Sequence, residues 1–121
     1  MNVIKKNCFL LTLSLLFSHI SYVHAHAVVT KDSLKIAPIH TGKTSQVTLD
    51  FNSQIELGLS RFFLVSSNDK HEAVETSLGE KPGQVILSLP SLESGEYALR
   101  YKVFATDGHI STDIIRFTVN P

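Results

Sequence analysis

Ser94-Gly95-Glu96-Tyr97-Ala98-Leu99-Arg100-Tyr101-Lys102-Val103 is the stretch whose reading decides the fold. Ser94-Gly95 is a turn signal. After it, Tyr97, Leu99, Tyr101 and Val103 fall on every second position. Residues i and i+2 of an extended chain share a face, so a period of two predicts a strand with one buried side. The same alternation recurs at Val47, Leu49 and Phe51 within Thr44 to Phe51, and at Val85, Leu87 and Leu89, which Pro90 closes. Arg61 to Ser66 (RFFLVS), Ile114 to Val119 (IIRFTV) and His26 to Thr30 (HAVVT) are short, apolar and β-branched or aromatic, and read as strands. His71 to Leu78 is a weaker strand candidate. Gly79 to Gly83 (GEKPG) and Ser67-Asn68-Asp69-Lys70 are turns, and no stretch has a helical period. About seven short strands separated by turns predict an all-β fold, an antiparallel sandwich of immunoglobulin-like type. Tyr97 is expected to be a packed tyrosine near a sandwich corner.

The alternating strand runs into Val103-Phe104-Ala105-Thr106-Asp107-Gly108-His109. Asp107 and His109 are two apart, so a carboxylate and an imidazole are expected to project together, with Gly108 letting the backbone turn between them. Taken alone, Asp-Gly is a common hairpin turn and His109 a polar loop residue. What gives the pair a second meaning is His26.

Residues 1–25 have the layout of a secretory signal. Lys5 and Lys6 form a basic start, and Phe9 to Phe17 (FLLTLSLLF) is an apolar run too short to span a bilayer. Val23-His24-Ala25 fits a small-residue cleavage site, which would release a chain beginning at His26. Ala25-His26-Ala27 fits as well and would release a chain beginning at Val28. The first cut is the one that gives His26 a chemical role. An N-terminal histidine offers an α-amine and a ring nitrogen to a single ion, and with His109 and Asp107 the set is three nitrogens and one carboxylate oxygen. Nitrogen and oxygen donors of this kind suit Cu(II), which heads the divalent affinity order.

Composition narrows the alternatives. The 121 residues less the first 25 leave 96, one small domain from residue 26 to 121. Without Lys5 and Lys6, nine basic residues stand against 11 acidic, a net charge of −2, and no run of basic residues points to nucleic acid or a lipid surface. The single Cys and the single Met are Cys8 and Met1, both inside the signal. The secreted chain therefore has no disulfide and no sulfur donor for Cu(I). His40 and His71 read as solvated loop residues, and Glu72, Glu75 and Glu80 as a solvated acidic face.

With these residues in place, the chain resembles the CopC family of periplasmic copper-resistance proteins. The resemblance rests on the signal ending just before His26, on Val47-Thr48-Leu49-Asp50-Phe51, and on Leu92-x-x-Gly95-x-Tyr97 leading to Asp107-Gly108-His109 and a closing Phe117-Thr118-Val119. It implies a Greek-key β-barrel or sandwich that holds one Cu(II) per secreted chain. His26 would supply amine and ring nitrogen, His109 a second imidazole and Asp107 a carboxylate near the metal. It further implies a monomeric, non-enzymatic periplasmic carrier or buffer of copper working beside an inner-membrane CopD-type protein. Three departures stand out. Leu64 to Val74, where some members carry a methionine-rich Cu(I) loop, has no Met; Ser53 stands where some carry a glutamate; and Tyr101 replaces a usual tryptophan. Two other functions compete: a copper monooxygenase built on a histidine brace, and an immunoglobulin-like interaction module with no metal. Against the monooxygenase stand the small size and Asp107, which would fill a position that oxygen needs.

Overall fold

The computed structural model of the protein describes residues 26–121, so the signal expected over residues 1–25 lies outside the described residues. Nine strands follow in order: β1 (Val29–Asp32), β2 (Ile39–His40), β3 (Ser45–Phe51), β4 (Arg61–Ser66), β5 (His71–Ala73), β6 (Glu75–Leu78), β7 (Gln84–Leu89), β8 (Gly95–Phe104) and β9 (Ile110–Asn120). They form two sheets, β1-β3-β7-β6 and β2-β9-β8-β4-β5. The pairings are antiparallel except for the short match of β2 with β9, where Ile39 lies beside Val119. The helical content among the described residues is one 3₁₀ turn, Ser33–Lys35, capped by Asp32 through a 3.2 Å bond from the Lys35 N–H. No helix among them is long and apolar enough to cross a membrane.

The all-β sandwich is the expected architecture, with more strands than the alternation predicts. His71 to Leu78 is two strands rather than one. Val74 separates them: β5 pairs with β4 in one sheet, and β6 pairs with β7 in the other. A period of two reports which face a residue occupies and says nothing about which sheet its backbone joins. The first strand also begins at Val29 rather than His26, because the Val28 amide bonds the Asn52 side chain instead of a ladder partner.

Burial follows the alternation. From the four-stranded sheet, Val47, Leu49, Val85 and Leu87 point inward, and from the five-stranded sheet Leu99, Val103 and Val119; all are at or below 1 % exposed. Cross-strand matches such as Leu49 with Val85 and Leu64 with Leu99 stack these side chains in layers. Tyr97 is the corner tyrosine the sequence implies. Its hydroxyl donates to the Glu93 carbonyl at 2.9 Å, and its ring stacks on Phe117.

Tyr101 fills the core with its ring edge-on to Phe51 at 5.5 Å and tilted against Phe62 at 5.7 Å. Burial, aided by the nearby charge of Asp113, pushes its phenol up to about 12. The sign of the linkage follows. An unfolded chain loses this proton near pH 10 while the folded chain keeps it, so the unfolded state binds fewer protons between about 10 and 12. Stability contributed by the protonated phenol is complete below about pH 10 and is lost as pH rises towards 12. We expect tyrosinate absorbance from Tyr101 to appear together with unfolding in an alkaline titration, and Tyr101→Phe to remove this part of the alkaline loss. A folded protein in which every phenol has ionised by about pH 10.5 would contradict it.

Candidate metal centre

The loop joining β8 to β9 is set by its backbone. Phe104 and Ile110 are the last paired positions, the Ala105 N–H donates to the His109 carbonyl at 2.8 Å, and the Gly108 N–H to the Ala105 carbonyl at 2.9 Å. Gly108 takes φ +92°, a conformation that a side chain disfavours and glycine accepts. A second segment holds the loop from the side. The Thr106 N–H donates to the Gln54 carbonyl at 3.0 Å, the Glu56 N–H to the Phe104 carbonyl at 2.8 Å, and Ile55 bridges to the buried Ala105. Ser60 ties the two together, accepting from the Phe104 N–H and donating to the Glu56 carbonyl. A short loop fixed on both sides keeps its side chains in place.

On this loop Asp107 and His109 do come together. Asp107 Oδ1 accepts from the His109 backbone N–H at 3.1 Å, and Oδ2 lies 3.0 Å from His109 Nδ1. The carboxyl is held below its ordinary value, first by the His109 backbone N–H and then by the His109 ring. Asp107 is thus an ionised carboxylate at neutral pH. Its second oxygen faces Nδ1, which is shielded from solvent. A carboxylate on one ring nitrogen fixes the orientation of the imidazole and raises the basicity of the other nitrogen, the arrangement usual for metal-binding histidines.

His26 is placed by its backbone. Its carbonyl accepts from Asn52 Nδ2 at 3.2 Å, the Val28 N–H donates to Asn52 Oδ1 at 2.9 Å, and the Ala27 N–H donates to Ser111 Oγ at 3.0 Å. Ser111 lies two residues beyond His109 at the start of β9, and Ala27 is 4 % exposed. The residue after His26 is therefore pinned to the hairpin that carries Asp107 and His109, while His26 itself is exposed. No three His, Cys, Asp or Glu side chains among the described residues stand close enough to hold a metal, so His26, Asp107 and His109 do not close into one cluster here. The expected donor set also includes a nitrogen that is not a side-chain group. One of its nitrogens is an α-amine, and the nitrogen of His26 in this chain is an amide joined to Ala25.

The anchoring of His26 was not visible in the sequence. Asn52 and Ser111 are ordinary polar residues there, and only the strand register brings Ser111 to the N-terminal segment. The other two histidines stand apart. His40 lies in β2 rather than in the loop expected, His71 opens β5 at the start of the strand candidate, and His71 Nε2 contacts Asp69 at 3.1 Å. Glu72 contacts Lys70 at 3.0 Å.

Fold and loop together define a small two-sheet β-sandwich with a carboxylate–imidazole pair at the mouth of its longest hairpin. The sequence pattern of the CopC domain matches residues 27–120, and the chain belongs to the CopC family. Among solved structures it is similar to CopC from Methylosinus trichosporium OB3b, at 27 % identity and a TM-score of 0.64 over 79 % of this chain and 95 % of that one. It is also similar to PcoC from Escherichia coli, a methionine-rich copper resistance protein, at 16 % identity and a TM-score of 0.62 over 79 % of this chain and 100 % of that one. The latter shares the fold. No curated protein sequence matches the chain.

Proposed function

We propose that the protein is a Cu(II)-binding carrier or buffer of the periplasm, exported by residues 1–25 and active as a monomer of residues 26–121 without catalytic turnover. Membership of the CopC family supports a copper-related function. The observation that carries the finer reading is the oriented His109 ring, held against Asp107 at 3.0 Å on a hairpin to which the backbone of Ala27 is pinned. Once the chain begins at His26, its amine and ring would join the His109 ring at one ion, with Asp107 supplying negative charge beside it. An inner-membrane CopD-type protein is the partner this reading names.

Nitrogen and carboxylate donors favour Cu(II), and thioethers favour Cu(I). The chain from residue 26 onwards has no Met and no Cys, in contrast to the methionine-rich PcoC. We expect one tightly held Cu(II) per secreted chain and no stoichiometric Cu(I). Competition titrations against a Cu(II) chelator and a Cu(I) chelator test this. A tight Cu(I) complex would refute the donor set, and absence of any Cu(II) complex would favour the interaction-module alternative. Substrate oxidation driven by reductant in the copper form would favour the monooxygenase.

A further inference from the structure

Nine basic residues follow residue 25, and they look scattered along the sequence. The strand register gathers four of them. Arg61 lies directly across from Lys102, Phe63 from Arg100, and Arg100 in turn from Ile114; Arg116 lies across from Ala98. Because side chains alternate, and the inward positions of these strands are Phe62, Leu64, Leu99, Tyr101 and Val103, these four cations lie on the outer face of the five-stranded sheet. Like charges directly opposite one another destabilise a sheet, yet Arg61 and Lys102 are so placed. None of the four makes an ion pair with an acidic side chain among the described residues; the pairs that form there involve Lys35, Lys70, His71 and His109. Arg61 bonds the carbonyls of Gly58 and Ser60, and Lys102 lies over the Phe104 ring at 5.7 Å. The one acid among the outward positions of β8, Glu96, is bonded to Thr118.

The face is concave as well as basic. One cleft of about 370 Å³ is lined by Arg61, Phe63, Arg100, Lys102 and Thr112. A second, of about 390 Å³, has Val65, Ala98 and Ile114 in its lining with Arg116, and Ser66, Ser67, Asp69 and Glu96 make its remaining wall polar. The first cleft is the more apolar of the two, and Ile114, at the edge of the second, is 40 % exposed. Arg61, Arg100 and Lys102, none in an ion pair, around the apolar first cleft call for an occupant with both acidic and apolar side chains. A flat lipid surface would not fill the two clefts.

We propose that this outer face binds an acidic, leucine- or phenylalanine-bearing segment of a partner protein, its carboxylates between Arg61, Lys102 and Arg100 and its apolar side chains over Phe63, Val65 and Ile114. The proposal is independent of copper, and its test is made without the metal. The probe is a short acetylated and amidated peptide alternating glutamate and leucine, titrated into the purified protein and followed by amide chemical shifts. Shifts are expected on β4, β8 and β9. The double variant Arg100→Glu/Lys102→Glu should weaken binding by about tenfold or more, whereas Lys43→Glu/Lys81→Glu should not. Both changes fall on exposed side chains, and Arg100→Gln/Lys102→Gln serves if charge reversal disturbs the amide spectrum. Four results would overturn the proposal: no shifts at millimolar peptide, equal binding of a control peptide with glutamine in place of every glutamate, binding that survives the loss of Arg100 and Lys102, or binding of phosphatidylglycerol vesicles in place of the peptide.

Discussion

A protein that keeps one extra residue ahead of His26 is expected to lose Cu(II) affinity by two orders of magnitude or more while keeping its fold. The expectation follows from the amine. With His26 first, amine and ring nitrogen close a chelate on one ion. With a peptide bond there, the amide nitrogen is a far poorer donor, and the chelate opens. Outer-shell partners of a metal typically cost about 10–100-fold when removed, and loss of a direct donor together with its chelate ring should exceed that. The fold should survive, because His26 is exposed and the neighbouring bonds run from Ala27 and Val28 to Ser111 and Asn52. Export of the natural chain and expression of a version with a leading Gly supply the pair to compare. Equal affinities and identical EPR spectra would show that His26 is not an N-terminal chelator.

The second large effect is expected at His109. His109→Ala removes an imidazole whose orientation Asp107 already fixes, and should likewise cost on the order of 100-fold or more in Cu(II) affinity. The hairpin should remain, since its geometry rests on backbone bonds among Ala105, Gly108 and His109 and on the bridge to Ile55. Asp107→Asn separates two roles. If the carboxylate acts mainly by orienting the ring, the loss should fall in the range of about 10–100-fold that outer-shell changes produce. His40→Ala and His71→Ala should leave affinity unchanged, as neither residue lies on the hairpin. His71→Ala as damaging as His109→Ala would mean that the ligands are assigned to the wrong end of the molecule.

Part of the fold and of the site is legible in the sequence. Where one face of a strand is buried and the other polar, the period of two is written in the sequence, and β3, β7 and β8 lie where the alternation places them. The Asp107–His109 pair was legible for the same reason, as two residues of like parity flanking a glycine. What escaped the sequence depends on partners far along the chain. β2 is two residues long and exists because β9 passes beside it. Val74 divides one apparent strand between two sheets, an event with no local signature. Ser111 matters because register brings it to Ala27, 84 positions away. The basic outer face is hidden in the same way, since Arg61, Arg100 and Arg116 become neighbours only through pairing. Their parity was readable; their adjacency was not.

In a chain that begins at His26, the proposed site has two histidine rings, His26 and His109, on one Cu(II). Pulsed EPR counts imidazoles on Cu(II) through their remote ring nitrogens. The direct measurement is that count on secreted protein whose intact mass places His26 first, loaded with one equivalent of Cu(II). The expected result is two coupled imidazoles in the natural protein and one in His109→Ala. A spectrum with a single imidazole in the natural protein, or one unchanged by His109→Ala, would contradict the account.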